Sequence, residues 1–216
     1  NVSVKIDNEF MDAVVNNKPY QQQFPIDSDK PDYKQTINAR ELWQKIVHNA
    51  WKSAEPGILF WDTVTQESVA DCYADKGFQT VSTNPCGEIP LCPYDSCRLL
   101  AINLYSYVDH PFTEKAKFNF DKFKKHVAYA QRIMDDIIDI EVEKIDAIIS
   151  KIENDPEDYE VKRVEHNLWQ NICKKALEGR RTGVGITAEG DMQAALGLTY
   201  GSENGIDFSE EVHKTI

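Results

Sequence analysis

The sequence has no uninterrupted apolar run approaching the roughly 18 residues that a membrane span needs, and no basic-then-apolar leader before its first strand-like segment. Both absences point to a cytoplasmic protein with no membrane association. Positive charge is also short, with 24 Lys and Arg against 36 Asp and Glu, which gives a net charge of -12. Such a surface repels phosphate backbones. That argues against nucleic-acid binding and requires local donors to hold the phosphates of any nucleotide ligand. Cys72, Cys86, Cys92, Cys97 and Cys173 are odd in number, which argues against a structural disulfide framework. Cys86, Cys92 and Cys97 are not spaced as C-x-x-C and have no histidine at finger-like spacing, so no metal site is expected and Cys92 is expected to be buried. There is no internal repeat.

What is present fits a folded domain. The 216 residues are 41% hydrophobic, enough for a real core. The chain starts at Asn1 in strand-like sequence and stops at Ile216 in a helical run, so we expect an excised segment whose function is shared with residues outside it. Val2, Val4 and Ile6 alternate with Ser3 and Lys5, which predicts a half-buried strand, followed by a short helix from Glu9 to Val15 and a polar loop. Asn38 followed by Glu41 resembles a capping box. Leu42, Ile46, Val47 and Ala50 then recur at helical spacing until Pro56-Gly57. Ile58 to Trp61 and Leu99 to Leu104 read as buried strands, and Thr65 to Lys76 as irregular.

The strongest periodicity runs from Phe118 to Ile152, with Phe123, Val127, Ile133, Ile137, Ile145, Ile148 and Ile152 as its apolar stripe, room for one break, and Asp155-Pro156 as its stop. A helix over Val161 to Leu177, a strand over Thr182 to Thr187, a helix over Gly190 to Leu198 and another from Phe208 onward complete the pattern. Strands alternating with helices imply parallel units, so the fold class is α/β.

The segment Asn84-Pro85-Cys86-Gly87-Glu88 carries the chemistry. Pro85 and Gly87 oppose a helix, which predicts an extended loop in which Asn84, Cys86 and Glu88 share a face. An amide, a thiol and a carboxylate then stand together: an orienting hydrogen-bond partner, a sulfur able to carry a radical or attack as a nucleophile, and a proton acceptor. A lone cysteine is more often structural, so the surroundings decide.

Those surroundings resemble the ribonucleotide reductase family, most of all its adenosylcobalamin (vitamin B12)-dependent class II members. Asn-Pro-Cys-Gly-Glu is similar to the family's finger loop, here about residues 83–92. Asn1 to Met11 (NVSVKIDNEFM) resembles its strand-and-helix entry, and Pro56 to Asp62 (PGILFWD) the strand before the loop. Ser96-Cys97 with Ala101-Ile102-Asn103-Leu104 resembles the second-cysteine strand, and Arg180 to Gly197 a later strand-helix unit. The region from Phe112 to Asn167 is less diagnostic, and Arg98-Leu99-Leu100-Ala101 departs from the small-residue run usual after the second cysteine.

The resemblance implies that residues 1–216 are part of a catalytic domain built as a ten-stranded α/β barrel with the finger loop at its centre. The implied reaction turns ribonucleotides, diphosphates in preference, into 2′-deoxyribonucleotides. Cys86 is implied to become the thiyl radical that takes the 3′ hydrogen, Glu88 to take the 3′-hydroxyl proton, and Asn84 to hold ribose hydroxyls. Cys97 is implied to be one member of a redox pair whose partner lies before Asn1. The implied cofactor is adenosylcobalamin. The implied partners are the substrate, the rest of the same subunit and a thioredoxin-like thiol reductant, with self-association of the isolated segment. Two alternatives stand beside this: a class I large subunit served by a separate radical-generating subunit, and a catalytically silent regulatory or interaction domain of the same fold.

Other signals weigh less. Gly183-Val184-Gly185-Ile186-Thr187-Ala188 satisfies a dinucleotide pattern, but its glycines lie in or before a strand rather than between strand and helix. Asp135, Asp136, Asp139 and Glu143 have no Glu-x-x-His partner and read as a solvated face. His48 and His126 read as helix-surface residues. Arg180-Arg181 can meet a phosphate or cap a helix end, with the cap favoured.

Overall fold

The computed structural model describes residues 2–216, whose contacts fall into two compact units divided between Pro93 and Tyr94. In the first, strand β1 (Ser3–Ile6) leads into α1 (Asn8–Val15). Asp7 caps this helix by accepting the Phe10 N–H at 2.6 Å, satisfying one of the donors that a helix start leaves open. The expected polar loop then contains a hairpin, β2 (Pro19–Phe24) paired antiparallel with β3 (Tyr33–Asn38). Its Gln21-Gln22-Gln23 centre hides the apolar alternation of a strand, and the six-pair backbone ladder holds it instead.

Helix α2 (Ala39–Ser53) opens as the capping reading requires, with Asn38 Oδ1 accepting the Glu41 N–H at 3.1 Å. It buries Ala39 and Ile46, whereas Val47 is exposed. Strand β4 (Gly57–Phe60) follows, and Trp61 opens helix α3 (Trp61–Glu67) rather than extending the strand as expected. Val69–Lys76, expected to be irregular, is a kinked 3-10 helix.

β1 and β4 pair in parallel, and their register sorts their side chains into two faces. Val4 and Ile58 are partners, and with Ile6 they pack on the core of Phe10, Ala13, Val14 and Ala39 supplied by α1 and α2. Ser3 with Gly57 and Lys5 with Leu59 point to the opposite face, because side chains alternate along a strand. The unit ends in a short hairpin, β5 (Ser82–Thr83) with β6 (Pro90–Leu91).

In the second unit β7 (Leu99–Asn103) runs into a 3-10 turn at Leu104–Tyr107. The antiparallel pair β8 (Val108–Asp109) and β9 (Lys117–Phe118) follows. Helix α4 (Phe120–Asn154) is continuous, 35 residues and so about 52 Å long. Its buried stripe is Phe123, Val127, Ala130, Met134, Ile138, Ile145 and Ile152. Ile133 and Ile137, expected in that stripe, are 51% and 40% exposed. Two apolar sets one residue apart satisfy the same period, and packing selects Met134 and Ile138.

Helix α5 (Tyr159–Gly179) folds back on α4, and β10 (Gly183–Thr187) then pairs in parallel with β7. Leu100, Ile102, Val184 and Ile186 pack with Phe123 and Val127 of α4 in one core, to which α6 (Glu189–Ala195) and α7 (Glu203–Thr215) add Met192 and Val212. The α7 helix begins before the expected Phe208. The other face of the pair carries Leu99, Ala101, Gly183 and Gly185. Both glycines are strand residues, as the rejection of a dinucleotide loop requires. A Cβ on Gly183 would lie 2.9 Å from Leu99 Cδ2 and 3.1 Å from the Arg98 carbonyl, so a larger residue there requires these neighbours to shift.

Arg180 is the left-handed C-cap residue of α5, but its guanidinium does not cap that helix. It donates to Asp135 Oδ1 and Asp139 Oδ1, each at 2.8 Å, and to the Asp135 carbonyl at 3.0 Å. Part of the acidic face expected to be solvated is therefore an anchor between α5 and α4. The Arg180 hydrogen bond holds the Asp135 carboxyl below the usual carboxylate range. Both parallel pairs agree with an α/β chain, and among the described residues three of the five two-stranded sheets are antiparallel. No helix among the described residues is long and apolar enough to cross a membrane.

Candidate active site

Asn84 to Glu88 forms no helix, yet it is not the extended chain that the sequence predicts. The Gly87 N–H donates to the Asn84 carbonyl at 3.0 Å, closing a turn with Pro85 and Cys86 at its centre. Proline suits the second position of such a turn, and Gly87 takes φ +86°, a region where other L residues are strained. The even spacing of Asn84, Cys86 and Glu88 along one face is therefore replaced by a display around a loop. The Asn84 N–H donates to the Ile89 carbonyl at 3.1 Å, and Asn84 Oδ1 accepts the Ile89 N–H at 2.9 Å. One residue thus closes the loop through both backbone and side chain.

This gives the three groups different standings. Cys86 and Glu88 are exposed at the tip, whereas Asn84 is half-buried with its oxygen committed to the loop. What Asn84 offers a ligand is the Nδ2 donor pair. Cys92, just after β6, is 4% exposed and buried as expected.

The loop is supported from below. Thr80 is buried; its N–H donates to Asp71 Oδ1 at 3.0 Å and its hydroxyl to Asp71 Oδ2. The Val81 N–H donates to the Leu91 carbonyl at 2.9 Å, extending the hairpin by one rung. The Val81 carbonyl accepts from Lys5 Nζ at 2.5 Å. At the tip, a Cβ on Gly87 would stand 3.1 Å from Leu59 Cδ2. Lys5 and Leu59 are register partners, so the hairpin lies over the face of the β1–β4 pair that α1 and α2 leave bare. None of these supports is visible as a sequence pattern, since they join residues up to 76 positions apart.

Cys97 belongs to the second unit, where it is exposed just before β7. Arg98, the departure noted beside it, is a buried anchor with its side chain 7% exposed. Its Nε and Nη2 donate to the two carboxylate oxygens of Glu141 on α4, at 2.5 and 2.8 Å, and its Nη1 donates to the Arg181 carbonyl at 3.1 Å. Arg181 Nη1 donates in turn to Asp95 Oδ2 at 2.7 Å. The residues two before and one after Cys97 are thus fixed by ion pairs, and sequence reading missed both. Glu141→Gln leaves a buried guanidinium without its counter-charge. We expect it to cost about 3 kcal/mol, the low end for breaking a buried pair because part of Glu141 stays in water, as read by urea denaturation.

The whole chain, residues 1–216, matches the family model described as ribonucleotide reductase, barrel domain. It is 31% identical over 215 residues to the vitamin B12-dependent ribonucleoside-diphosphate reductase of Thermoplasma acidophilum, covering 98% of this chain and 23% of that protein. The like-named protein of Mycobacterium tuberculosis is 27% identical over 82% of this chain and 21% of its own length. The vitamin B12-dependent ribonucleotide reductase of Agrobacterium fabrum is 25% identical over 95% of this chain and 13% of its own. The chain spans less than a quarter of the length of these curated relatives. With a thiol-bearing turn held over the open face of a parallel pair, and a family match that runs from end to end, this chain belongs to the ribonucleotide reductase family as a part of its barrel domain.

Proposed function

We propose that the full-length protein reduces ribonucleotides, diphosphates in preference, to 2′-deoxyribonucleotides, with Cys86 as the radical-bearing thiol. The observation that carries this reading is the exposed Cys86 between Asn84 and Glu88 on a braced turn, in a chain of this family. Relatives named as vitamin B12-dependent favour adenosylcobalamin over a separate radical-generating subunit. The residues present fit such a cofactor to the extent that Cys86 is at the tip and open to a bulky group. When bound, adenosylcobalamin supplies the one-electron oxidising equivalent. The barrel with its central finger loop is supported by the two parallel pairs, each with one face under helices, and by the hairpin that lies over the other face of the β1–β4 pair. We place the enzyme in the cytoplasm, with a thioredoxin-like dithiol as reductant.

The reaction follows from what each side chain can do. The Cys86 sulfur radical takes the hydrogen atom from C3′, forming S–H and leaving a carbon radical. Glu88 takes the 3′-hydroxyl proton, and the 2′-hydroxyl leaves as water with a proton from one thiol of the Cys97 pair. The other thiol of the pair delivers a hydrogen atom to C2′, and the remaining electron goes to the sugar as the two sulfurs join in a disulfide. Glu88 returns its proton to the 3′ oxygen, and Cys86 returns its hydrogen to C3′ and is again the sulfur radical. The Asn84 Nδ2 group donates to a ribose hydroxyl.

The test is turnover of a ribonucleoside diphosphate by the full-length protein with adenosylcobalamin and a dithiol, and without a second subunit. We expect deoxynucleotide from the full-length protein. The 216-residue chain alone should make none and should self-associate through apolar surface such as Ile133, Ile137 and Ile140. Deoxynucleotide that appears only with a second protein would move the reading to class I. Asn84 gives a finer check: Asn84→Asp keeps an acceptor for the Ile89 N–H but loses the donors. We expect kcat/KM to fall about 10-fold to 100-fold, the worth of one or two hydrogen bonds to substrate.

A further inference from the structure

The hairpin that presents Cys86 makes two described contacts with one rung of the β1–β4 pair. Lys5 holds its base, through the Val81 carbonyl, and Leu59 meets its tip at Gly87. Lys5 and Leu59 face each other in the strand register, so base and tip are referred to a single level of the sheet. The Lys5 amine also lies 3.6 Å from the centre of the Trp61 ring, at the first turn of α3. The aromatic face offsets part of what a cation loses on leaving water, and the ring fixes where a flexible four-carbon stem ends. Lys5 remains exposed, and partial burial of its amine lowers its pKa from the ordinary value. Val81 is thus held on both sides of its backbone: its N–H donates to the Leu91 carbonyl, and its carbonyl accepts from the Lys5 ammonium.

We propose that Lys5, seated on Trp61, is a positioning residue for Cys86: its ammonium holds the Val81 carbonyl at the base of the hairpin and sets the height of the thiol-bearing turn above the β1–β4 pair. This rests on the reading of Cys86 as the radical thiol. Lys5 is given no contact with substrate. A loop that strays by an ångström loses rate more than affinity, because hydrogen transfer needs the sulfur and C3′ in near contact while phosphate and base binding are made elsewhere.

The experiment uses the full-length enzyme with adenosylcobalamin, a dithiol and a ribonucleoside diphosphate. Lys5→Met keeps the stem and its packing on Trp61 but removes the donor. We expect kcat to fall at least about 10-fold with KM within about twofold of wild type and an unchanged melting temperature, and Lys5→Arg to recover most of the rate. Wild-type kcat in Lys5→Met overturns the proposal, as does a fall in kcat that Lys5→Arg does not restore. If Lys5→Met does not fold, Lys5→Arg decides alone: it keeps a cation over the ring and a donor to the carbonyl, and loss of its activity counts against the proposal. Failure of the underlying reading looks different, since the wild-type enzyme would then make no deoxynucleotide, or the Cys86→Ser enzyme would still make it.

Discussion

Cys86→Ser in the full-length enzyme is expected to lose at least about 10⁴-fold in deoxynucleotide formation, while the protein folds and binds substrate normally. The substitution is small. Cys86 is exposed at the centre of a turn whose closing bonds come from Asn84, Gly87 and Ile89 rather than from its own side chain, so a hydroxyl fits the same place. The chemistry is not preserved. An alcohol O–H bond is much stronger than a thiol S–H bond, and only about 5 kcal/mol of added barrier is needed for a 10⁴-fold loss. No second thiol shares the turn; Cys92 is buried beyond β6. Steady-state assay of the purified variant checks this. Turnover within 100-fold of wild type would remove Cys86 from the reaction.

The second large effect is expected at Cys97, and it differs in kind. Cys97→Ser leaves Cys86 and Glu88 in place, so hydrogen transfer from C3′ still begins. Reduction at C2′ lacks its electron donor. The intermediate should then decompose, releasing free base and, from 3′-tritiated substrate, label into water, with little deoxynucleotide formed. The ion pairs around the site make the comparison clean. Arg98 on Glu141 and Arg181 on Asp95 fix the segment through residues other than Cys97, so the serine variant keeps its backbone. Cys86→Ser should release neither base nor label. If the two variants behave alike, or if Cys97→Ser turns over normally with a dithiol, Cys97 is not a redox partner.

The contrast between what the sequence announces and what only the structure reveals is physical. Long periodic segments are legible. The β1 strand, α2 with its Asn38 cap, α4 and β10 all lie where alternation, capping and helical spacing place them, because one face of each is buried in a core. The β2–β3 hairpin is not legible, since its Gln-rich centre is held by backbone bonds that leave no side-chain signature. The Asn84 to Glu88 segment is half legible: Pro85 and Gly87 exclude a helix, but whether the chain then extends or turns depends on the Gly87 to Asn84 bond and on Leu59 beneath it. The anchoring roles of Arg98 and Arg180 were not legible for a related reason. Arg98 reads only as a departure from the small-residue run and Arg180 as a helix cap, because the carboxylate partner of each lies more than 40 positions away.

The most direct measurement is the fate of the 3′ hydrogen in the wild-type full-length enzyme, with adenosylcobalamin and a dithiol present. If Cys86 takes that hydrogen, the enzyme should discriminate against 3′-tritiated ribonucleoside diphosphate, so that unreacted substrate grows richer in label as the reaction proceeds. The product should keep most of the label at C3′, because Cys86 returns the hydrogen it takes. Deoxynucleotide formation with no discrimination and with no trace of label passing from C3′ to water, even when a slow reductant holds back the later steps, would contradict the account.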